Sequence, residues 1–196
     1  MSEKSSYNDI SCRYFHKPGG ENSKAVLEAV SRRTEELSIS KVLIATCSGR
    51  TAYEALKILQ KEVKIIAVTH VTGYEKPNHQ ELEEKDRREL EAQGITVLTC
   101  QHAFGGVGRA VRNKLSTYQV DEIMAYTLRI FGQGIKVAIE LALMAADAGL
   151  VRTDEDVISV GGSGRGADSA IVLQPANSSR FFDLKVKEII CKPTVF

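Results

Sequence analysis

Three short apolar runs recur in the first half of the chain, each followed by a turn and a stretch with helical spacing, and this alternation is its strongest constraint. The runs are Val42-Leu43-Ile44-Ala45, Ile65-Ile66-Ala67-Val68 and Ile95-Thr96-Val97-Leu98. Runs apolar at consecutive positions suit strands buried on both faces, and so a parallel rather than a half-solvated sheet. Helical spacing is read over Ser23 to Leu37, with Asn22-Ser23 placed to cap, over Thr51 to Gln60, and over Gln80 to Gln93, where Gly94 closes the helix. Strand and helix in alternation, joined by right-handed crossovers, predict an α/β fold with helices on both faces of the sheet.

The second half changes character. From Gly106 to Gly149 the pattern is almost wholly helical, broken at Ser116-Thr117 and at Gly132-Gln133-Gly134. A fourth strand, Val157 to Val160, leads into the loop Gly161 to Gly166, then come Ser169 to Leu173 and a short apolar run at Ile189-Ile190-Cys191. No linker or repeat interrupts the 196 residues, which read as one domain. The helix from Ile135 to Leu150 is apolar on more than one side, through Val137, Ala138, Leu141, Ala142 and Ala145, and this predicts a homo-oligomer that covers the excess.

Charge narrows the partners. Lys and Arg number 26 against 25 Asp and Glu, and the densest run, Glu81 to Glu91, mixes both signs as a solvated helix face does, so no nucleic acid is expected. Nothing approaches the roughly 18 apolar residues of a membrane span, and the start Met1 to Asp9 is polar, so the expected location is cytoplasmic. Cys12, Cys47, Cys100 and Cys191 form no C-x-x-C pair and are expected to be reduced thiols.

Open parallel sheets bind ligands beyond the carboxyl ends of their strands, at the point where strand order reverses. After the first run stand Thr46, Cys47, Ser48, Gly49, Arg50 and Thr51. There a glycine permits close backbone approach, a helix start offers free N–H groups, and Arg50 can reach a phosphate. After the fourth strand, Gly162, Gly164 and Arg165 offer the same ingredients, with Asp168 placed to accept from a ligand hydroxyl. Gly105 and Gly106 follow the third strand and are further candidates, with Arg109 beyond them, whereas the glycines near Gly132 read as a break between packed helices. The same glycines can equally serve only the turns they occupy.

Named nucleotide motifs are missing. No G-x-x-x-x-G-K-[ST] occurs, and no G-x-G-x-x-G follows the first strand. The Cys47 to Arg50 spacing is too short for a phosphatase loop. Cys47 at a helix start beside Arg50 is either a thiol of lowered pKa or a small residue filling a strand end. If the strands are ordered third, second, first, fourth, Cys47 and Cys100 stand about 9–10 Å apart, beyond disulfide reach. His70 and His102, after the second and third strands, can meet at the rim. His70 is a candidate site residue, but spacing supplies no further ligand, so no metal is expected.

Two of these loops resemble a known domain. Ser48-Gly49-Arg50-Thr51-Ala52, with Ile66-Ala67-Val68-Thr69, is similar to the effector-binding region in the C-terminal domain of pyruvate kinase, and Gly161 to Asp168 resembles the later loop that closes over the effector there. The likeness is stronger to small stand-alone relatives of that domain. It is carried by Tyr14-Phe15, Pro18-Gly19, Val68-Thr69-His70, Leu128-Arg129, Phe131 to Gly134, Met144 to Leu150 and Glu188 to Pro193. The resemblance implies a three-layer α/β/α sandwich with a mostly parallel sheet and one antiparallel strand. It also implies that flavin mononucleotide (FMN) or another phosphorylated small molecule can be held at the strand ends. Kinase activity is not implied, because the phosphotransfer centre of that enzyme lies in a barrel of typically about 250 residues. Where relatives more usually carry a small residue or threonine, this chain has Cys47. The expected function is therefore binding of a phosphate-bearing ligand, as a flavoenzyme of unknown substrate or, alternatively, as a non-catalytic ligand-sensing or oligomeric module.

Overall fold

All the apolar runs are strands of one sheet. The computed structural model describes residues 6–196, so the polar start Met1 to Asp9 lies partly outside the described residues. In chain order the elements are β1 (Arg13–Phe15), α1 (Ser23–Leu37), β2 (Lys41–Ala45), α2 (Arg50–Ile58), β3 (Lys64–Val68), α3 (Glu84–Ala92) and β4 (Thr96–Leu98). They continue with α4 (Gly106–Leu115), α5 (Val120–Leu128), α6 (Gln133–Asp147), β5 (Val157–Gly161), β6 (Ser169–Gln174) and β7 (Lys185–Pro193). The seven strands are ordered β1-β7-β6-β5-β2-β3-β4. Strand β2 is parallel to both β3 and β5, and β4 is parallel to β3. Only β6 runs against its neighbours, β5 and β7. The four main strands thus stand in the order third, second, first, fourth. The three-residue β1, which pairs with β7 in parallel, was too short to show a pattern.

Alternation along each strand builds two cores. Val42, Ile44, Ile65 and Ala67 face α1, α2 and α3 through Val26, Leu27, Val30, Ala52 and Leu90. Leu43, Ile66, Val68 and Leu173 face α6 through Ile135, Ile139, Leu143 and Met144. The result is the three-layer α/β/α sandwich. Helix α6 is buried almost all round because it lies over β2, β5 and β6 and is covered in turn by α5 and the turn Ser178–Asp183. Its apolar surplus is thus satisfied within the chain, which corrects the reason for expecting self-association from that helix. The helix lies so close to the sheet that a Cβ on Gly161 would stand 2.2 Å from the Gly134 carbonyl oxygen.

Two local expectations are revised. Asn22 does not cap α1: its side-chain amide donates to the Lys17 and Gly19 carbonyls, and Ser23 donates to the Gly20 carbonyl while accepting from the Ala167 N–H at 2.9 Å. These bonds hold the N-terminal segment against the β5–β6 loop. Helix α3 starts at Glu84 rather than Gln80, since Gln80 donates to the His70 carbonyl and its own oxygen accepts from the Leu82 N–H. Gly94 does close that helix, with φ of 86° and its N–H on the Glu91 carbonyl. Among the described residues no helix is long and apolar enough to cross a membrane.

Candidate functional site

A cavity of about 830 Å³ opens at the carboxyl ends of β2, β3 and β5. From β2 the chain builds outward to β3 and β4, then returns to place β5 on the other side of β2. Adjacent loops separate at such a reversal, and a crevice forms between them.

The loop after β2 supplies Thr46, Cys47, Ser48, Arg50 and Thr51 to the cavity wall. Thr46 Oγ1 accepts the Gly49 N–H at 3.0 Å, which tightens the turn, while the N–H groups opening α2 lie beyond any intrahelical partner. Arg50 is exposed on the rim. Gly49 itself is absent from the wall. It has φ of 80°, and a Cβ there would meet Tyr53, Leu90 and Leu82 at 3.2 to 3.4 Å. This glycine permits the turn and packs against the core, a correction to its expected role in ligand approach.

The loop after β5 lines the opposite wall with Gly162, Ser163, Gly164 and Arg165. Its shape depends on Asp168, which is fully buried and accepts from the Gly19 N–H, the Ser163 N–H and the Ser169 hydroxyl at 2.8 to 3.0 Å. Asp168 therefore organises the loop rather than meeting a ligand, a second correction. Gly105 and Gly106 are a third. A Cβ on Gly105 would meet the Arg109 side chain, and Gly106 lines a separate hollow with Gln101 and Phe104. Arg109, one turn into α4, does reach the cavity, as do Arg129 and, from α6, Lys136.

Between these walls lies a stack of rings. The Tyr74 ring stands 4.1 Å from that of His70 and 5.3 Å from that of His102, nearly parallel to the latter, and the Arg109 guanidinium lies 5.1 Å from the Tyr74 centroid. His70 and His102 do meet, at 5.4 Å between centroids. Beneath them Glu140 accepts from Lys136 at 2.5 Å and from the Phe104 N–H at 2.8 Å, with His102 Nδ1 4.0 Å away. His102 Nε2 accepts from the Val71 N–H, which puts its proton on Nδ1, towards Glu140. Burial lowers the pKa of His102 and of Lys136, although Glu140 opposes both shifts.

Cys47 contradicts the activated-thiol reading. Burial, then Glu81 and Glu75, push its pKa up to about 11 against the opposing charge of Arg165. Its Sγ lies 3.5 Å from His70 Nδ1 and 3.7 Å from Nε2, and Nδ1 is 2.5 Å from Glu81 Oε2. All four cysteines are free. Glu81, Tyr74, Arg129 and Glu140 also line the cavity, and no spacing in the sequence marks them as site residues. Glu81 stands at the head of a run read as a solvated helix face, and Tyr74 lies in a loop whose path no spacing rule fixes.

A family model described as pyruvate kinase, alpha/beta domain, matches residues 24–173. The chain belongs to that family. Among solved structures it is similar to a pyruvate kinase from Cryptosporidium parvum, at 14% identity and a TM-score of 0.42 over 82% of this chain. The alignment spans 24% of that longer chain.

Proposed function

We propose that this protein binds a phosphate-bearing small molecule, most suitably FMN, in the strand-end cavity. One observation carries the reading: the guanidinium groups of Arg50, Arg109, Arg129 and Arg165 line one cavity with the opening turns of α2 and α6, Lys136 being paired with Glu140 there and Glu54, Glu75 and Glu81 lying on the same wall. Charge-assisted bonds from guanidinium groups and free helix N–H groups favour an anion, and phosphate accepts from several at once. The volume lies within the roughly 300–1,000 Å³ of cofactor and ligand pockets. The half-exposed Tyr74, backed by His102, offers a planar shelf for a ring. When bound, a flavin supplies the redox chemistry, while the protein binds, orients and tunes it. The family's pyruvate kinase relationship brings no phosphotransfer centre to this reading.

Fluorescence titration of FMN into the purified protein tests the proposal. We expect saturable quenching, and a folded Arg50→Ala variant that binds about ten- to a hundredfold more weakly, since a charge-assisted bond is worth about 1.5–3 kcal/mol. Unchanged affinity in that variant moves the phosphate to the Gly162–Arg165 wall. No binding by FMN, riboflavin or a sugar bisphosphate overturns the reading. We propose further that the protein is cytoplasmic and that it forms a homo-oligomer, the latter supported by an exposed apolar stripe on α5 formed by Val120, Ile123 and Tyr126 and continued by Ile130.

A further inference from the structure

We propose that Cys47, His70 and Glu81 form a three-ligand site for a borderline-soft divalent ion such as Zn²⁺ or Co²⁺, with the remaining coordination position open to the cavity. The three side chains come from the end of β2, the end of β3 and the loop before α3, and one potential ligand atom from each lies within 4.8 Å of the others. All three line the cavity wall. Their donors are sulfur, imidazole nitrogen and carboxylate oxygen, a set that suits zinc or cobalt and does not suit magnesium or calcium, which take oxygen.

The sulfur–nitrogen separation fits such an ion, and the nitrogen–oxygen separation must open to receive it. With Zn–S near 2.3 Å and Zn–N near 2.0 Å, a tetrahedral site sets sulfur and nitrogen about 3.5 Å apart. Cys47 Sγ and His70 Nδ1 are 3.5 Å apart. The same geometry sets nitrogen and carboxylate oxygen about 3.3 Å apart. The hydrogen bond from His70 Nδ1 to Glu81 Oε2, at 2.5 Å, must therefore lengthen as the metal replaces the proton. Because Sγ is almost equidistant from the two ring nitrogens, the imidazole must also turn about its Cβ–Cγ bond to aim Nδ1. Loading shifts the imidazole proton to Nε2 and releases the Cys47 proton to solvent.

The carboxylates around the thiol favour a cation over the opposing charge of Arg165. Glu75 lies near enough to act on the thiol alongside Glu81. The His70 carbonyl accepts from Thr69 Oγ1 at 2.8 Å and from Gln80 Nε2 at 3.0 Å, so the backbone that carries the ligand is held before any ion arrives. Three protein ligands with an open position is the arrangement of metal sites that take a water or substrate oxygen, whereas structural sites are closed by four. The site does not depend on the phosphate-ligand proposal, although both open on the same cavity.

The test is titration of the reduced, chelator-treated full chain with Co²⁺, followed by competition with Zn²⁺. We expect one equivalent bound per chain, a near-ultraviolet thiolate-to-cobalt charge-transfer band, and release of about one proton per ion when titrated at a pH where imidazole is neutral and the thiol still protonated. Cys47→Ser should abolish the band and weaken binding at least about tenfold, as should His70→Asn and Glu81→Gln without loss of fold by circular dichroism. His79→Asn, on the same rim, should change nothing. Absence of the band in the unaltered protein, or its persistence in a folded Cys47→Ser variant, overturns the proposal. FMN binding retained in Cys47→Ser separates the two readings.

Discussion

At the scale of single residues, environment overrides intrinsic chemistry. Cys47 stands at a helix start near two arginines, yet burial and two carboxylates hold its pKa near 11. The nucleophile is the thiolate, so the thiol should be about a hundredfold poorer in reactive form than an ordinary cysteine. Iodoacetamide at pH 7.5, with metal chelated and peptides followed by mass spectrometry, should label Cys47 at least about tenfold more slowly than glutathione; faster labelling would contradict the burial argument. Lys136 and Glu140 show the cost of separating a buried pair, being 7% and 5% exposed. Lys136→Met strands the Glu140 carboxylate and should cost about 3–5 kcal/mol in urea unfolding. Adding Glu140→Gln should recover much of that loss, because the amide oxygen still accepts from the Phe104 N–H. If the double variant is no more stable than the single one, the charge is not the cause.

At the scale of elements, glycines fix how closely backbones approach. The α6–β5 crossing depends on Gly161, where an added Cβ collides with backbone rather than with a side chain that can swing aside. Gly161→Ala should therefore cost about 1–3 kcal/mol or more by forcing the helix off the sheet. Its effect should appear in unfolding midpoints rather than first in ligand affinity. Gly49→Val belongs to the same class. It places a branched side chain at φ of 80° against Leu82, Leu90 and Tyr53, so we expect a lower melting temperature without ligand, whereas Arg50→Ala should melt almost normally. Equal melting of the two variants would show that the turn tolerates a side chain.

At the scale of the molecule, one run of exposed apolar side chains follows α5 and the turn after it. Ile123 is 54% exposed and Ile130 67%, and with Val120 and Tyr126 they form one stripe at helical spacing. Contiguous apolar surface of this kind marks an interaction site more often than solvent-facing helix. Sedimentation at micromolar concentration should show a dimer or larger species, and Ile123→Glu with Ile130→Glu should give a monomer that melts normally. A monomeric unaltered protein would remove the proposal.

The sheet was legible before the structure because its main strands are continuous apolar runs separated by helical periods, and burial on two faces leaves that mark locally. The order of β2 to β5 was an assumption that the pattern allows but does not fix, because right-handed crossovers are compatible with several orders; the structure decided it. Val42 to Ala45, and the phosphate-suited residues Arg50 and Arg165, needed no tertiary information to be noticed. Which glycines line the cavity could not be read this way, since Gly49, Gly105 and Gly162 look alike in sequence, yet of the three only Gly162 lies on the cavity wall. The α6 surplus was also ambiguous: an apolar helix looks the same whether a second molecule or its own α5 covers it. Glu81 and Cys47 are far apart in the chain, with His70 between them in sequence. They meet because β2 and β3 are adjacent and in register from Lys41 with Lys64 to Ala45 with Val68. That register carries both loops to one end of the sheet, and long-range pairing leaves no periodic trace in the residues it brings together.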